Sequence, residues 1–160
     1  FGAQPIIGES EAHAQELKEE HNELVPLEAG LTILSAHLDF DLSSLPLEAK
    51  MAERTEPELY RMRTRFLNPD GSSMSLSDVA ARHGQSVGLP QFVGTAESVA
   101  EQMIDFFDYV GGDGFMLTAT HTPGAIEQFV EKVVPIFQRA GRFRKAYEGT
   151  TQRDLLRQTI

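Results

Sequence analysis

The sequence predicts an α/β fold that is mostly helical and carries about two strands. Two short β-prone segments, at 3–7 and 115–117, are separated by helical patterns, and glycines punctuate the ends of these elements. Helix–strand–helix order with tight turns is typical of parallel α/β folds, because parallel strands need a covering connection between them. Two parallel strands are too few for a stable sheet. We therefore expect the neighbouring strands to lie elsewhere, in a longer protein.

The composition excludes several classes of protein. The chain has 160 residues, of which 41% are hydrophobic and 24% charged, as in ordinary globular domains. A net charge of −10 argues against nucleic acid as a partner, because phosphate binding relies on Lys and Arg. Cysteine is absent, which excludes disulfides and thiolate chemistry and fits a cytoplasmic protein. No apolar stretch approaches the roughly 20 residues that cross a bilayer, so we expect no membrane partner.

The first segment, 1–26, predicts a strand followed by a helix. Ser10 stands at a plausible N-cap, and Glu11 in the first turn suits the helix dipole. Pro26 ends or bends the helix. The opening residues have no initiator Met and no signal-peptide pattern, and they resemble the interior of a strand. We therefore expect the sequence to begin partway through a larger protein.

The middle of the chain, 27–92, is predicted to be broken but largely helical. Asn-Pro-Asp-Gly at 68–71 is a strong turn signal. Ser75 with Asp78 resembles a capping box for a short helix that ends at Gly84.

The last third gives the clearest pattern. Thr95 is predicted to cap a helix whose apolar stripe runs from Val99 to Val110, and the strand 115–117 follows after two glycines. Thr122 is then predicted to cap a second helix, with Pro123 at its first position, where a missing N–H costs nothing.

Two features of the C-terminal part are expected to modify its helices. Pro135 lies inside the second helical pattern and should kink that helix, because proline removes one backbone hydrogen bond. The tail predicts an ordered arm and then a short helix capped by Thr151.

The same region resembles a known family. The segment VGTAESVAEQMIDFFDYVGGDGFML, 93–117, resembles the penultimate helix and final strand of the bacterial luciferase-like flavin monooxygenases. The segment 123–156 is similar to the C-terminus of the nitrilotriacetate monooxygenase component A group, which includes dibenzothiophene sulfone monooxygenase. The resemblance covers essentially the whole chain and is looser from 50 to 90. Ala96 departs from it, because the family usually has Pro after the Thr.

The resemblance implies that the chain is the C-terminal portion of a TIM (β/α)8 barrel. Segment 1–26 would hold the seventh strand and a helix. Segment 27–92 would be a helical insertion over the barrel mouth. Segment 93–141 would hold a helix, the eighth strand and the final helix, and 142–160 would be a C-terminal arm. The first six strands would lie outside this sequence.

The resemblance also implies an activity. A monooxygenase of this group uses reduced FMN from a separate NAD(P)H:flavin reductase, with O2 as co-substrate, to oxygenate a small organic substrate. The residues that grip the FMN phosphate are expected upstream, so this segment alone should bind flavin poorly and be inactive. A homo-oligomer is expected. Two alternatives stay open: a non-catalytic helical interaction fragment that pairs with another chain, and a related barrel that uses a deazaflavin.

Five residues are candidates for the site. Thr118, Thr120 and His121 follow the last strand, at the end where TIM barrels carry their chemistry, so we predict a pocket rim there. For His121 a solvated loop histidine is the alternative. His37 is the candidate catalytic residue, because a histidine over the flavin could donate a hydrogen bond or transfer a proton near neutral pH; a structural histidine is the alternative.

Val87 is the candidate cofactor contact, in the Gly-rich segment GQSVGLPQF at 84–92, which we predict to be a loop. A simple connector is the alternative. We interpret the other histidines, His13, His21 and His83, as surface or boundary residues. No cluster has metal-ligand spacing, so no metal is expected.

Overall fold

The computed structural model describes residues 1–147 and 149–157. These form two compact units: Phe1–Lys18 together with Gln91–Ile160, and Glu19–Pro90. The predicted arm at 142–160 includes residues 148 and 158–160, which lie outside the described ones. The boundaries of the predicted insertion at 27–92 remain a prediction.

The first unit contains a parallel sheet. Its strands are β1 (Gly2–Ile7), β2 (Gln91–Gly94) and β3 (Met116–Leu117), in the order β2-β1-β3. Both neighbours run parallel to β1. The sheet therefore has β1 at its centre.

The prediction of about two strands was wrong, because β2 makes a third. β2 lies in QFVG, part of which we had placed in a loop. Its four residues alternate between half-buried and buried, and so short an alternation carries little period-two signal. With β2 present, the sheet reaches the minimum number of strands that is stable in water.

The described residues also contain helices throughout the chain. In order these are α1 (Glu11–Glu23), α2 (Leu27–Leu38), α3 (Pro57–Tyr60), α4 (Leu76–Ser86), α5 (Ala96–Val110), α6 (Gly124–Gln128), α7 (Val134–Arg139) and α8 (Gln152–Arg157). Short 3-10 turns lie at Leu42–Ser44, Met51–Glu53 and Arg63–Phe66, and a π-helical turn at Phe129–Val133 joins α6 to α7.

The core of the first unit lies between the sheet and the helical segments α5 and 124–139. Alternation along β1 turns Ala3 and Ile7 towards this core. The buried side chains of the cluster are Ala3, Ile7, Phe92, Val99, Ala100, Met103, Phe129, Val133 and Phe137. Burial of each large apolar side chain contributes about 1.5–3 kcal/mol to folding.

The second unit is built on the contact between α2 and α4. Gly30 of α2 lies against the backbone of α4, where a Cβ on Gly30 would come within 2.1 Å of the carbonyl oxygen of Ala80. Only glycine allows this approach. The buried side chains of this unit's cluster are Leu34, Leu38, Leu42, Met51, Leu59, Phe66, Met74, Leu76 and Val79.

Four of the predicted helix caps are confirmed. The hydroxyl of Ser10 accepts the backbone N–H of His13 at 3.1 Å, and the side chain of Thr95 accepts that of Ser98. Ser75 forms a capping box with its N3 residue. The side chain of Thr151 caps α8 in the same reciprocal manner. Local sequence signals were sufficient at these positions.

The prediction that Thr122 caps the next helix was wrong. That helix begins at Gly124, with Pro123 at the N-cap and no side-chain hydrogen bond to the cap. Proline has no side-chain acceptor, so the first turn of α6 lacks the cap that a Thr at this position would supply.

A π turn precedes Pro135 in its helix, and the predicted kink remains a prediction. The N–H of Val134 bonds to the carbonyl of Phe129, five residues back. Pro135 has no N–H and its ring displaces the carbonyl four residues earlier, so the chain widens at this point.

Candidate functional site

Two histidines form a pair in the second unit. Nδ1 of His37, in the last turn of α2, lies 3.0 Å from Nε2 of His83, in α4. The ring centroids are 5.1 Å apart and the ring planes are nearly perpendicular, at 87°. One nitrogen must carry the proton of this hydrogen bond and the other must accept it.

The two rings lie on helices that are in close contact. Gly30 and His37 stand seven residues apart on one face of α2, and Ala80 and His83 stand three apart on α4. The close backbone contact of Gly30 with Ala80 and the contact of His37 with His83 thus lie on the same pair of helices. Gly84 reinforces the contact, because a Cβ there would come within 2.7 Å of Val25.

The pair has an asymmetric electrostatic environment. His83 is half-buried, whereas His37 is exposed. Burial first, and then the charge of His37, lower the pKa of His83 from its ordinary value of 6.5. The neighbouring charge on α4, Arg82, directs Nη1 at the sulfur of Met74, 3.8 Å away. Burial and the neighbouring imidazole therefore both disfavour the charged form of His83.

Val87 lies at the end of the same helix, in a strained conformation. It is the C-cap of α4, with φ of 54° and ψ of 30°, and its N–H donates to the carbonyl of His83 at 2.7 Å. The left-handed region is unfavourable for a β-branched residue, and its side chain remains 45% exposed. Backbone strain of this kind is concentrated at functional positions in proteins.

Two residues that were predicted separately each hydrogen-bond to His83. His37 and Val87 both contact His83, one through its ring and the other through its carbonyl. Sequence reasoning missed His83. Its partner is 46 residues away, and helical spacing within α4 does not reveal a partner on another helix.

The predicted rim lies in the first unit, after β3. The N–H of Thr118 donates to the carbonyl of Ala3 at 2.8 Å, which continues the pairing of β3 with β1. Oγ1 of Thr120 lies 3.2 Å from Nδ1 of His121. A Cβ on Gly124 would come within 3.0 Å of Nε2 of His121, so the imidazole lies against the first turn of α6. The three residues are adjacent, and their role as a rim remains a prediction.

The N-terminus of α5 carries an internal anion. Oε1 of Glu11 accepts the backbone N–H of Thr95 at 3.1 Å. Gly94, with φ of +155°, permits this approach, because a Cβ there would come within 2.7 Å of Oε2 of Glu11. A helix N-terminus favours negative charge, and here the carboxylate already supplies it. The phosphate of a flavin would meet a like charge at this position.

The described residues contain neither a metal-binding cluster nor a membrane-spanning helix. Among residues 1–147 and 149–157, no group of three or more His, Cys, Asp or Glu side chains could hold a metal ion. Within the part of the chain that the structure describes, every helix is too short or too polar to cross a membrane.

Comparison with curated proteins identifies relatives over nearly the whole chain. No family model matches. The chain is 36% identical over 160 residues to dibenzothiophene-sulfone monooxygenase of Rhodococcus erythropolis, an alignment that covers 95% of this chain and 35% of that protein. The chain therefore spans about a third of the length of the curated relatives it matches.

Solved structures give the same region of similarity. The crystal structure of DmoA from Hyphomicrobium sulfonivorans matches with a TM-score of 0.84 at 22% identity, over 97% of this chain and 33% of that one. The structure of a riboflavin lyase with modified FMN and riboflavin matches with a TM-score of 0.74 at 25% identity, over 97% of this chain and 34% of that one.

Proposed function

Because the chain belongs to the luciferase-like monooxygenases that include dibenzothiophene-sulfone monooxygenase and nitrilotriacetate monooxygenase component A, we propose that the complete protein is a flavin-dependent monooxygenase. Its substrate is a small organic molecule. The observation that carries the proposal is the 36% identity to a named monooxygenase over 95% of this chain. A non-catalytic helical fragment is the weaker alternative, since the curated relatives are named as enzymes.

The proposed architecture is a TIM barrel to which this chain contributes the C-terminal part. β1 and β3 are assigned as its seventh and eighth strands; they are hydrogen-bonded neighbours, as consecutive barrel strands are. The residues 27–92 are assigned to the helical insertion, although the last two of them begin β2. β2, on the other side of β1, has no number in that assignment.

The proposed cofactor is reduced FMN, which a separate NAD(P)H:flavin reductase supplies. When bound, the reduced flavin provides the electrons that activate O2, so that one oxygen atom enters the substrate and the other leaves as water. The FMN in the related riboflavin lyase structure supports a flavin. Glu11 occupies the N-terminus of α5. We place the contacts to the FMN phosphate in the upstream part of the complete protein, as the family resemblance implies, since this chain spans about a third of the length of its relatives.

We assign the chemistry of this chain to the predicted site residues. His37 holds or moves a proton at its ring nitrogen, since formation of water and of a hydroxylated or cleaved product requires proton transfer. Val87 presents an exposed apolar side chain to the flavin ring. Thr118, Thr120 and His121 line the pocket rim and hydrogen-bond polar groups of the substrate.

Two further properties belong to the proposal. The cytoplasm is the proposed location, because the reductase draws on NAD(P)H. A homo-oligomer is the proposed assembly. Large apolar side chains at Tyr109 and Met116 are 92% and 77% exposed, and exposed apolar surface favours contact with a partner.

The experiment is an oxygenation assay of the complete protein with NAD(P)H, FMN and a flavin reductase under 18O2. The substrates tested are dibenzothiophene sulfone, N-acetyl-S-(2-succino)cysteine and nitrilotriacetate, after the names of its relatives. We expect one of these, or a close analogue, to give a product that contains 18O and forms only when the reductase is present. Product formation without flavin, or absence of any flavin-dependent oxygen uptake on a wider panel, contradicts the proposal.

A further inference from the structure

We infer that His83 is a positioning residue for His37: it holds the imidazole of His37 through Nδ1, so that Nε2 of His37 is the nitrogen that exchanges protons with the substrate. This inference rests on the proposed function for the role of His37. The pairing itself stands on the geometry of the second unit.

The first step is the hydrogen bond. At 3.0 Å, the contact of Nδ1 of His37 with Nε2 of His83 has the length of a normal N–H···N hydrogen bond. Within the described residues, Nε2 of His37 forms no hydrogen bond, so the pairing engages one ring nitrogen and leaves the other. A histidine whose one nitrogen is fixed presents a defined tautomer at the other.

The second step is the support behind His83. The carbonyl of His83 accepts the N–H of Val87, and the strained turn continues into Gly88 with φ of +77°. A Cβ on Gly88 would lie 3.8 Å from Nδ1 of His83, so this turn closes against the imidazole. The strain at Val87 is therefore stored in the turn that holds the positioning ring.

The third step is the position of the proton. Burial first, and then the neighbouring His37, lower the pKa of His83, which favours its neutral imidazole as the acceptor in the hydrogen bond at Nδ1 of His37. Protonated His37 then donates from Nδ1 to Nε2 of neutral His83. When His37 gives up the proton at Nε2, the hydrogen bond at Nδ1 is kept. His83 thus supports both protonation states without exchanging protons itself.

The first test is an NMR titration of the full-length protein with 13Cε1-labelled histidine. We expect the His83 signal to titrate below the ordinary histidine pKa of 6.5. In the His37→Gln variant, the His83 midpoint should rise, because the neighbouring charge is removed. Independent titration of the two rings, with no change of His83 in this variant, overturns the inference whatever the activity of the enzyme.

The second test uses two His83 variants. His83→Phe keeps a ring of similar size but cannot hydrogen-bond, whereas His83→Gln retains an acceptor. We expect kcat to fall about 10-fold in His83→Phe with KM within about 2-fold, and kcat to recover to within about 3-fold in His83→Gln. The acid limb of the kcat profile should also shift in His83→Phe.

The two tests separate the inference from the proposed function. Suppose that the His83 midpoint depends on His37 but the His37→Gln variant keeps full activity. The histidine pair then exists, but His37 has no catalytic role and His83 has no positioning role. Unchanged kcat and pH profile in His83→Phe contradict the positioning role alone. If a variant unfolds, the titration of the wild-type rings still decides whether they are coupled.

Discussion

The carboxylate of Glu11 lies at the N-terminus of α5, the helix that begins after Thr95. Its Oε1 accepts the backbone N–H of Thr95 at 3.1 Å, although the two residues are 84 positions apart in the sequence. A side chain from the first turn of α1 thereby neutralises the N-terminal dipole of α5. The contact joins the connection after β1 to the connection after β2, so it fixes two neighbouring strand ends in the first unit.

We predict that Glu11→Ala lowers the free energy of unfolding by about 1 kcal/mol, through loss of the hydrogen bond and of the charge at the helix terminus. Urea denaturation measures this change. Glu16→Ala, at an exposed position of the same helix, is the matched control and should change stability by less than about 0.5 kcal/mol. Equal effects of the two substitutions would contradict the role of Glu11.

Gly30→Ala should be severely destabilising, by about 3 kcal/mol or more, because its Cβ would meet the Ala80 carbonyl at 2.1 Å and force α2 from α4. The control is Gly71→Ala, where φ is +83° and nothing lies within 4 Å of the new Cβ. That variant should lose only about 1 kcal/mol, the usual cost of a left-handed conformation. Thermal denaturation of both variants distinguishes a steric clash from backbone strain.

Val87→Asn should stabilise the protein by about 0.5–1 kcal/mol, since Asn tolerates the left-handed region and Val does not. Asp39, the C-cap of α2 with φ of 54°, is a useful reference. Asp39→Val places a β-branched residue in the same conformation and should destabilise by a similar amount. Differential scanning calorimetry measures both changes in stability. If Val87→Asn were destabilised, the contacts of the Val87 side chain would stabilise the protein by more than its left-handed backbone conformation destabilises it.

Stability should fall at acidic pH partly because of His83. Its pKa is lower in the folded protein than its ordinary value of 6.5, so the unfolded chain binds a proton before the folded chain does. The stabilisation from neutral His83 is therefore present above about pH 6.5 and is lost as the pH falls through the folded pKa. Urea midpoints measured from pH 8 to pH 5 should decline less steeply in His83→Phe than in the wild type. Parallel declines would exclude His83 as a contributor.

Residues 1–160 alone should bind FMN poorly, because the proposed contacts to the FMN phosphate belong to the upstream part of the complete protein. Isothermal titration of the chain with FMN measures this directly. A dissociation constant in the micromolar range would contradict the proposed location of the phosphate site.

Local signals in the sequence predicted local structure well. The caps at Ser10, Thr95 and Thr151 follow from one side chain and the N–H groups near it, and β1 and β3 follow from apolar runs beside glycines. β2 was missed because four residues carry too little periodicity. Pro123 was predicted at the first position of α6 but is its N-cap, so the predicted start of the helix was one residue too early.

In the candidate site, too, individual residues were predicted but a long-range contact was not. His37 and Val87 were predicted individually, from their position in the proposed insertion. Their common partner, His83, could not be, because the two histidines meet across the packing of two helices and no pattern within either helix specifies it. Long-range contacts between side chains are the features that are hardest to predict from a single sequence.

The π turn before Pro135 has a consequence for the apolar pattern of its helix. Phe129, Val133 and Phe137 are all buried, and the two phenyl rings lie 6.1 Å apart between centroids. Steps of four residues drift away from one face of a regular α-helix, whose period is 3.6. The extra residue accommodated by the π turn cancels that drift, so the three side chains stay in phase with the sheet. Pro135→Ala would permit a regular helix and rotate Phe137 relative to Phe129, so the proline sets the orientation of α7 about its axis.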